Sequence, residues 1–112
     1  MPNGDVPTPD RIATLVDLLR GPTLSVLDRL DGSEFSTPEF IGVLLTDPDA
    51  AAAYDEAIRR WGESEHAAKM VLHGQVFPAI LRAATNVEWL GFAHDVADAY
   101  AVPAWWRLVG ER

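Results

Sequence analysis

Residues 87–109 constrain the fold more than any other stretch of this 112-residue chain. They hold three of its four tryptophans and two further aromatic residues: Trp89, Phe92, Tyr100, Trp105 and Trp106. Two runs of alternating apolar and aromatic residues flank the polar connection Ala-His-Asp-Val-Ala-Asp, a pattern that is typical of a β-hairpin. The sequence therefore predicts one hairpin here, preceded by helices that pack on it.

Large apolar side chains occupy both faces of the predicted hairpin. Because adjacent strand residues point to opposite faces, Trp105 and Trp106 cannot both enter one core, and we expect one of them to lie outside it. We expect most of the other aromatic residues to lie inside. Pro103 cannot donate to a ladder, so its strand should be an edge or carry a bulge. Either helices cover both faces of the hairpin, or one face is an interaction surface.

The first third of the chain reads as a loose lead and a helical pair. Residues 1–8 are rich in proline and polar residues, and Thr8-Pro9-Asp10 is typical of a helix start. An apolar stripe at helical spacing then runs to Arg20-Gly21-Pro22, which should end the helix. A second helix completes the predicted pair over 9–31, with three leucines facing inward: Leu24, Leu27 and Leu30.

Three more helices are predicted before the hairpin. Ser36 is the hydroxyl cap of the first, and Asp47-Pro48 starts the second, over 48–61. The outer side of the second pairs acids and arginines at i, i+4: Asp55 with Arg59, and Glu56 with Arg60. The third starts at Ser64 and ends near Ala84, and its internal proline predicts a kink or break around 73–77.

Four segments carry a likeness to a known architecture. Residues 35–44 and 53–62 look like two core helices, residues 73–82 look like the later part of a third, and 87–89 with 105–109 look like strands of a wing. This order resembles the winged helix-turn-helix superfamily over about residues 35–109. The expected fold is therefore mainly α with a C-terminal β-hairpin (α+β), winged-helix-like, with an extra N-terminal helical pair.

The resemblance implies binding to double-stranded DNA, with the third helix reading the major groove. Two features depart from the pattern. The third helix offers few basic or amide side chains, and the wing tip is acidic, with Asp95 and Asp98 beside His94. Acidic groups repel the phosphates of DNA. The side chains that could contact nucleic acid or a protein partner are Arg59, Arg60, Lys69, His73, Gln75, Arg82, Trp105 and Arg107.

Composition places the chain in a broad class. A single domain over 1–112 can bury roughly 65% of its unfolded surface without staples. The absence of cysteine excludes disulfides and thiolate chemistry. Without a signal peptide or a long apolar run, we expect a soluble cytoplasmic protein with no membrane partner. Eight arginines against one lysine suggest a bacterial genome rich in GC.

Charge is placed unevenly along the chain. Residues 1–56 hold eleven acidic and three basic side chains, whereas residues 57–112 hold six of each, so the net charge of −8 belongs to the first half. The electric field of such an excess of charge acts locally. An acidic half would repel phosphate, while the neutral half could still approach it.

No catalytic, cofactor or metal signature emerges. His66 and His73 could share a helix face and join His94 around a metal, but they lack the tight spacing that places two ligands on adjacent turns. We expect no enzyme, cofactor or metal site. The leading hypothesis is a DNA-associated transcriptional regulator. The alternative is an acidic protein-interaction module, inhibitor or adaptor that uses an exposed aromatic face of the hairpin, including contact with a second copy in a homodimer.

Overall fold

Four helices and a three-stranded antiparallel sheet form the computed structural model, which describes residues 8–30 and 32–109. The elements in chain order are α1 (Thr8–Leu27), β1 (Glu34–Ser36), α2 (Thr37–Leu44), α3 (Pro48–Trp61), α4 (residues 65–83), β2 (Val87–Phe92) and β3 (Ala104–Leu108). The expected α+β class is confirmed. Of the predicted loose lead, residues 1–7 lie outside the described residues, whereas Thr8 opens α1.

Helix α1 corrects the predicted helical pair over 9–31. It is a single helix of 20 residues that contains Pro22. Its buried side chains, which include Leu19, Thr23 and Val26, continue one stripe past the proline, so packing outweighs the roughly 3 kcal/mol that an internal proline costs. Leu24 was expected to face inward, but it lies beside this stripe and is exposed.

Strand β1 was not predicted at all. Phe35 and Ser36, expected at the start of a helix, instead pair with β3. Ser36 ends the strand and caps α2: its Oγ accepts from the Glu39 N–H at 3.3 Å, and its own N–H donates to Glu39 Oε1 at 3.1 Å. This capping box fixes where the strand stops and the helix begins.

Helices α3 and α4 agree more closely with the prediction from the sequence. Helix α3 spans the predicted residues and ends at Gly62, whose φ of 81° suits a glycine. Helix α4 consists of an α-helical piece Glu65–Val71, a π-helical turn Leu72–Val76 and a final piece Phe77–Ala83. The irregularity expected around 73–77 is present as the π turn, without a break in the helix, and Pro78 lies in the first turn of the final piece.

The sheet order is β1-β3-β2, so β3 lies in the centre. The expectation that the strand after Pro103 is an edge is therefore wrong. Strand β3 begins only at Ala104, and the Pro103 carbonyl accepts a hydrogen bond from the Ala93 N–H at 2.8 Å just outside the ladder. The proline thus precedes the strand and costs it no pairing. The irregularity in the hairpin lies in β2 instead.

The core lies between the helices and the inner face of the sheet. Trp106 is fully buried there, and its Nε1 donates to Thr37 Oγ1 at 2.9 Å. Trp105 points to the other face, is half-buried, and donates from Nε1 to Asp95 Oδ1 at 3.4 Å. The expectation that one of the two tryptophans lies outside the core is confirmed.

Candidate interaction surface

Strand β2 is an edge of the sheet. Within the described part of the chain it pairs with β3 on one side and with no strand on the other. An edge strand presents unpaired N–H and C=O groups, which are a template for another extended chain. The opposite edge, β1, is only three residues long, so β2 is the more extensive of the two.

A bulge in β2 decides which side chains share a face. The register pairs Trp89 with Trp106, Gly91 with Trp105, and Phe92 with Ala104. Leu90 is therefore an extra residue, and Gly91 has a φ of 128°, which glycine adopts readily. In a regular strand, residues three apart point to opposite faces. The bulge instead places Trp89 and Phe92 together on the inner face.

These two rings overhang the edge of the sheet. Trp89 is 42% exposed and Phe92 is 56% exposed, although the neighbouring β3 side chains on that face are buried. The rings meet edge to face with centroids 5.5 Å apart. Leu90 is 37% exposed beside them. We call these three residues the edge patch. The expectation that most of the other hairpin aromatics lie in the core is wrong for Trp89 and Phe92, because β2 is the edge strand and has a neighbouring strand on one side only among the described residues.

Arg82, near the end of α4, borders the edge patch. Its guanidinium carbon lies 5.2 Å from the centroid of the Trp89 ring, a cation–π contact. Across residues 8–30 and 32–109, the other arginines and the lysine each have a carboxylate partner, and Arg82 has none. Because it is exposed, its guanidinium is accessible to a ligand.

The other predicted contact cations do not join Arg82. Arg59 and Arg60 both bind Glu56, so the predicted pair of Glu56 with Arg60 is confirmed, whereas Arg59 chooses Glu56 over Asp55. Hydrogen bonds from Arg60 and then Arg59 lower the pKa of the Glu56 carboxyl.

Two further cations occupy different elements. Lys69 binds Glu65 at 3.2 Å within α4. Arg107 lies on the outer face of the sheet, between Glu34 at 3.1 Å and Glu88 at 3.6 Å. These charges serve ion pairs within the protein, and they lie on separate faces. The predicted Gln75 is exposed on the π turn of α4, near Trp61.

His73 was predicted as a contact residue, but it is buried in a polar network. Its Nδ1 lies 3.0 Å from Asp98 Oδ2, and its Nε2 lies 2.8 Å from the Tyr54 hydroxyl. Asp98 Oδ1 also accepts from the Tyr100 N–H at 2.9 Å. The network joins α3, the π turn of α4 and the loop 93–103, which connects the two strands of the hairpin. No sequence signal marks this pairing across elements.

The roles within the network follow from the chemistry of its groups. Burial above all, and then the negative charges that Tyr100 and Asp98 can carry, raise the pKa of the Tyr54 phenol well above its ordinary value. The phenol therefore keeps its proton. Because a carboxylate only accepts, His73 Nδ1–H donates to Asp98. In the tautomer with its proton on Nδ1, Nε2 accepts from the Tyr54 hydroxyl. The three buried groups satisfy one another and hold the loop against the helices.

The three histidines do not form one metal-binding cluster. His66 and His73 both pack on the Tyr100 ring, with centroids 5.3 Å and 4.9 Å from it, and His94 packs on Phe92. Over the described residues, no group of three His, Cys, Asp or Glu side chains could hold a metal ion. No described helix has both the length and the apolar character to cross a membrane.

Comparison with known proteins adds no relative. No family model matches the chain, and neither curated proteins nor solved structures show significant similarity to it. The function is inferred from three features of the structure: the edge patch, Arg82 and the free side of β2.

Proposed function

We propose that this chain is a small, non-enzymatic regulatory module of winged-helix-like architecture that binds a protein partner along the free edge of β2. The path of the chain supports the architecture. Helix α4 leads through a short turn at Thr85 and Asn86 into the β2–β3 hairpin, the order on which the winged-helix resemblance rests. Strand β1 and helix α1 are additions to that frame.

The edge patch carries the proposal. Exposed apolar side chains beside an unpaired strand edge are a liability that proteins usually cover or blunt with charge. Here β2 places Trp89, Leu90 and Phe92 at such an edge, with a single charge, Glu88, that Arg107 on β3 already binds. A partner that adds a strand would pair the free backbone groups and cover the rings.

DNA association has weaker support. A phosphate contact at Arg59, Arg60 or Lys69 would have to replace the bond to Glu56 or Glu65. Arg107 lies on the outer face of the sheet, away from these helices. We expect no mobility shift of duplex DNA at low salt, where phosphate binding is strongest. A shift that salt abolishes would favour the DNA hypothesis over the one proposed.

A random library of displayed peptides tests the proposed function when it is selected for binding to the whole protein. We expect the selected peptides to bind the protein and to lose binding when Trp89 is replaced by serine. Trp89 is 42% exposed and so more than half covered, and Trp89→Ser should therefore lower the melting temperature. An unchanged circular dichroism spectrum at the assay temperature shows that the variant is folded and that lost binding reflects the surface.

Leu45→Ser is the matched control, since Leu45 is an exposed leucine after α2 and lies outside the sheet. Amide chemical shifts should move at β2 in the peptide complex. Selected peptides that bind Trp89→Ser as well as the wild type, and that shift other residues, would contradict a function at the β2 edge.

A further inference from the structure

We infer that the partner segment at the β2 edge is an extended apolar peptide of another protein that carries a carboxylate, and that Arg82 binds this carboxylate. The inference rests on the proposed function and adds the chemistry of the partner. Three observations support it: the size of the edge patch, the positive charge beside it, and the lack of a matching carboxylate on a second copy of the chain.

The edge patch is too small for a globular partner. A whole aromatic side chain buries about 150–250 Å², so these partly exposed residues offer roughly 100 Å² each, or about 300 Å² together. A stable dimer buries about 800 Å² on each partner. A single added strand needs less side-chain area, because its backbone hydrogen bonds contribute to binding and its side chains supply specificity.

Arg82 supplies the charge preference. It is the exposed arginine that lacks a carboxylate among the described residues, and the Trp89 ring holds its guanidinium beside the strand. A guanidinium presents several N–H donors in a plane, which match the two oxygens of a carboxylate. A ring underneath restricts the arginine before the ligand arrives, so less side-chain freedom is lost on binding.

A second copy of the chain would not supply this carboxylate. Pairing two β2 edges across a two-fold axis places the same surface on both sides. Each copy then brings Arg82 and His94 to the contact, while the carboxylate of Glu88 is already bound by Arg107. The charges therefore favour a different protein.

The probes are fluorescein-labelled heptapeptides of alternating valine and threonine, with one glutamate at each position in turn. A second set carries glutamine at the same positions. Anisotropy titrations use the whole protein as wild type, Arg82→Gln and Arg60→Gln. Arg60 is the matched control, because it is an exposed helical arginine that Glu56 already binds.

We expect at least one glutamate peptide to bind the wild type about tenfold more tightly than its glutamine counterpart, the size of a charge-assisted hydrogen bond. Arg82→Gln should abolish this preference and Arg60→Gln should keep it. Arg82→Glu should prefer lysine at that position.

Three results overturn the inference. If peptides bind at β2 without a preference for glutamate, the carboxylate is wrong and the proposed function stands. If no peptide of either set binds at about 1 mM, which corresponds to a very weak affinity, the inference fails. The library selection then tests the proposed function separately. If sedimentation shows a dimer that Trp89→Ser dissociates, the partner is a second copy.

Discussion

Replacing Asp98 by alanine should detach the loop 93–103 from the helices. The Asp98 side chain is only 4% exposed, and it accepts from both His73 Nδ1 and the Tyr100 N–H. In Asp98→Ala both donors lose their acceptor, while Tyr54 still occupies Nε2 of the histidine. The buried ring cannot turn to water without opening the loop.

The magnitude follows from the two lost bonds. A buried donor left without a partner costs about 1–3 kcal/mol, and His73 is buried enough for the upper part of that range. Tyr100 is half-buried, so its N–H recovers part of its loss from water. Removing a buried carboxylate also relieves the cost of holding that charge away from water. We expect a net loss of about 2–3 kcal/mol in the free energy of unfolding.

Urea unfolding followed by tryptophan fluorescence measures this loss. Asp95→Ala is the control, because Asp95 lies in the same loop and accepts only a long, exposed bond from Trp105. It should cost less than about 0.5 kcal/mol, as ordinary surface substitutions do. Hydrogen exchange gives a local readout: the Tyr100 amide should exchange faster in Asp98→Ala and unchanged in Asp95→Ala.

A difference of less than about 0.5 kcal/mol between the two variants, with equal protection of the Tyr100 amide in both, would show that Asp98 does not hold the loop. Asp98→Asn refines the result. Its amide oxygen can still accept one of the two bonds, so its stability should fall between those of Asp98→Ala and the wild type.

Three further predictions test other parts of the structure. Pro22→Ala should raise the free energy of unfolding by about 1–3 kcal/mol, since it restores a helical hydrogen bond and removes a ring clash; a lower urea midpoint would contradict this. The raised pKa of the Tyr54 phenol means that stability is full below about pH 10 and falls as the pH rises further, so Tyr54→Phe should lose stability less steeply in melts at alkaline pH. The lowered pKa of Glu56 should move back toward its ordinary value in Arg60→Ala, and by more than in Arg59→Ala, when its carboxyl carbon is titrated by NMR; equal or absent shifts would contradict the pairing.

Features governed by neighbouring residues were predictable from the sequence. The Ser36 cap and the Pro48 start place α2 and α3 within a residue or two of where they begin. Gly62 ends α3 as expected. The pair of Glu56 with Arg60 depends only on helical spacing, and it forms. In each case the determining contact spans at most four residues, so the pattern contains the information.

Features that depend on tertiary packing were not predictable. Pro22 reads as a terminator, but the burial of the helix on both sides of it keeps α1 continuous. Strand β1 is three residues long and exists because β3, about seventy residues later, pairs with it. A strand of that length has no periodicity of its own to detect.

The candidate site was predicted only in part. The hairpin, its aromatic residues and the different fates of Trp105 and Trp106 follow from alternation along a strand. The exposure of Trp89 and Phe92 does not, because it depends on which strand is the edge. Similarly, the sequence does not show that the other arginines among the described residues have carboxylate partners and that Arg82 has none.

The bulge at Leu90 has a consequence for how this surface can change over time. Deleting Leu90 would leave Trp89, Gly91 and Phe92 consecutive, so both rings would stay on one face of a regular strand. If Leu90 instead entered the ladder as a regular residue, Phe92 would turn to the outer face and separate from Trp89. The patch therefore depends on the bulge, and Gly91, whose φ of 128° suits glycine, is the residue that permits it. Among related chains that keep a residue at position 90, replacement of Gly91 would mark the loss of the surface even where both aromatic residues remain.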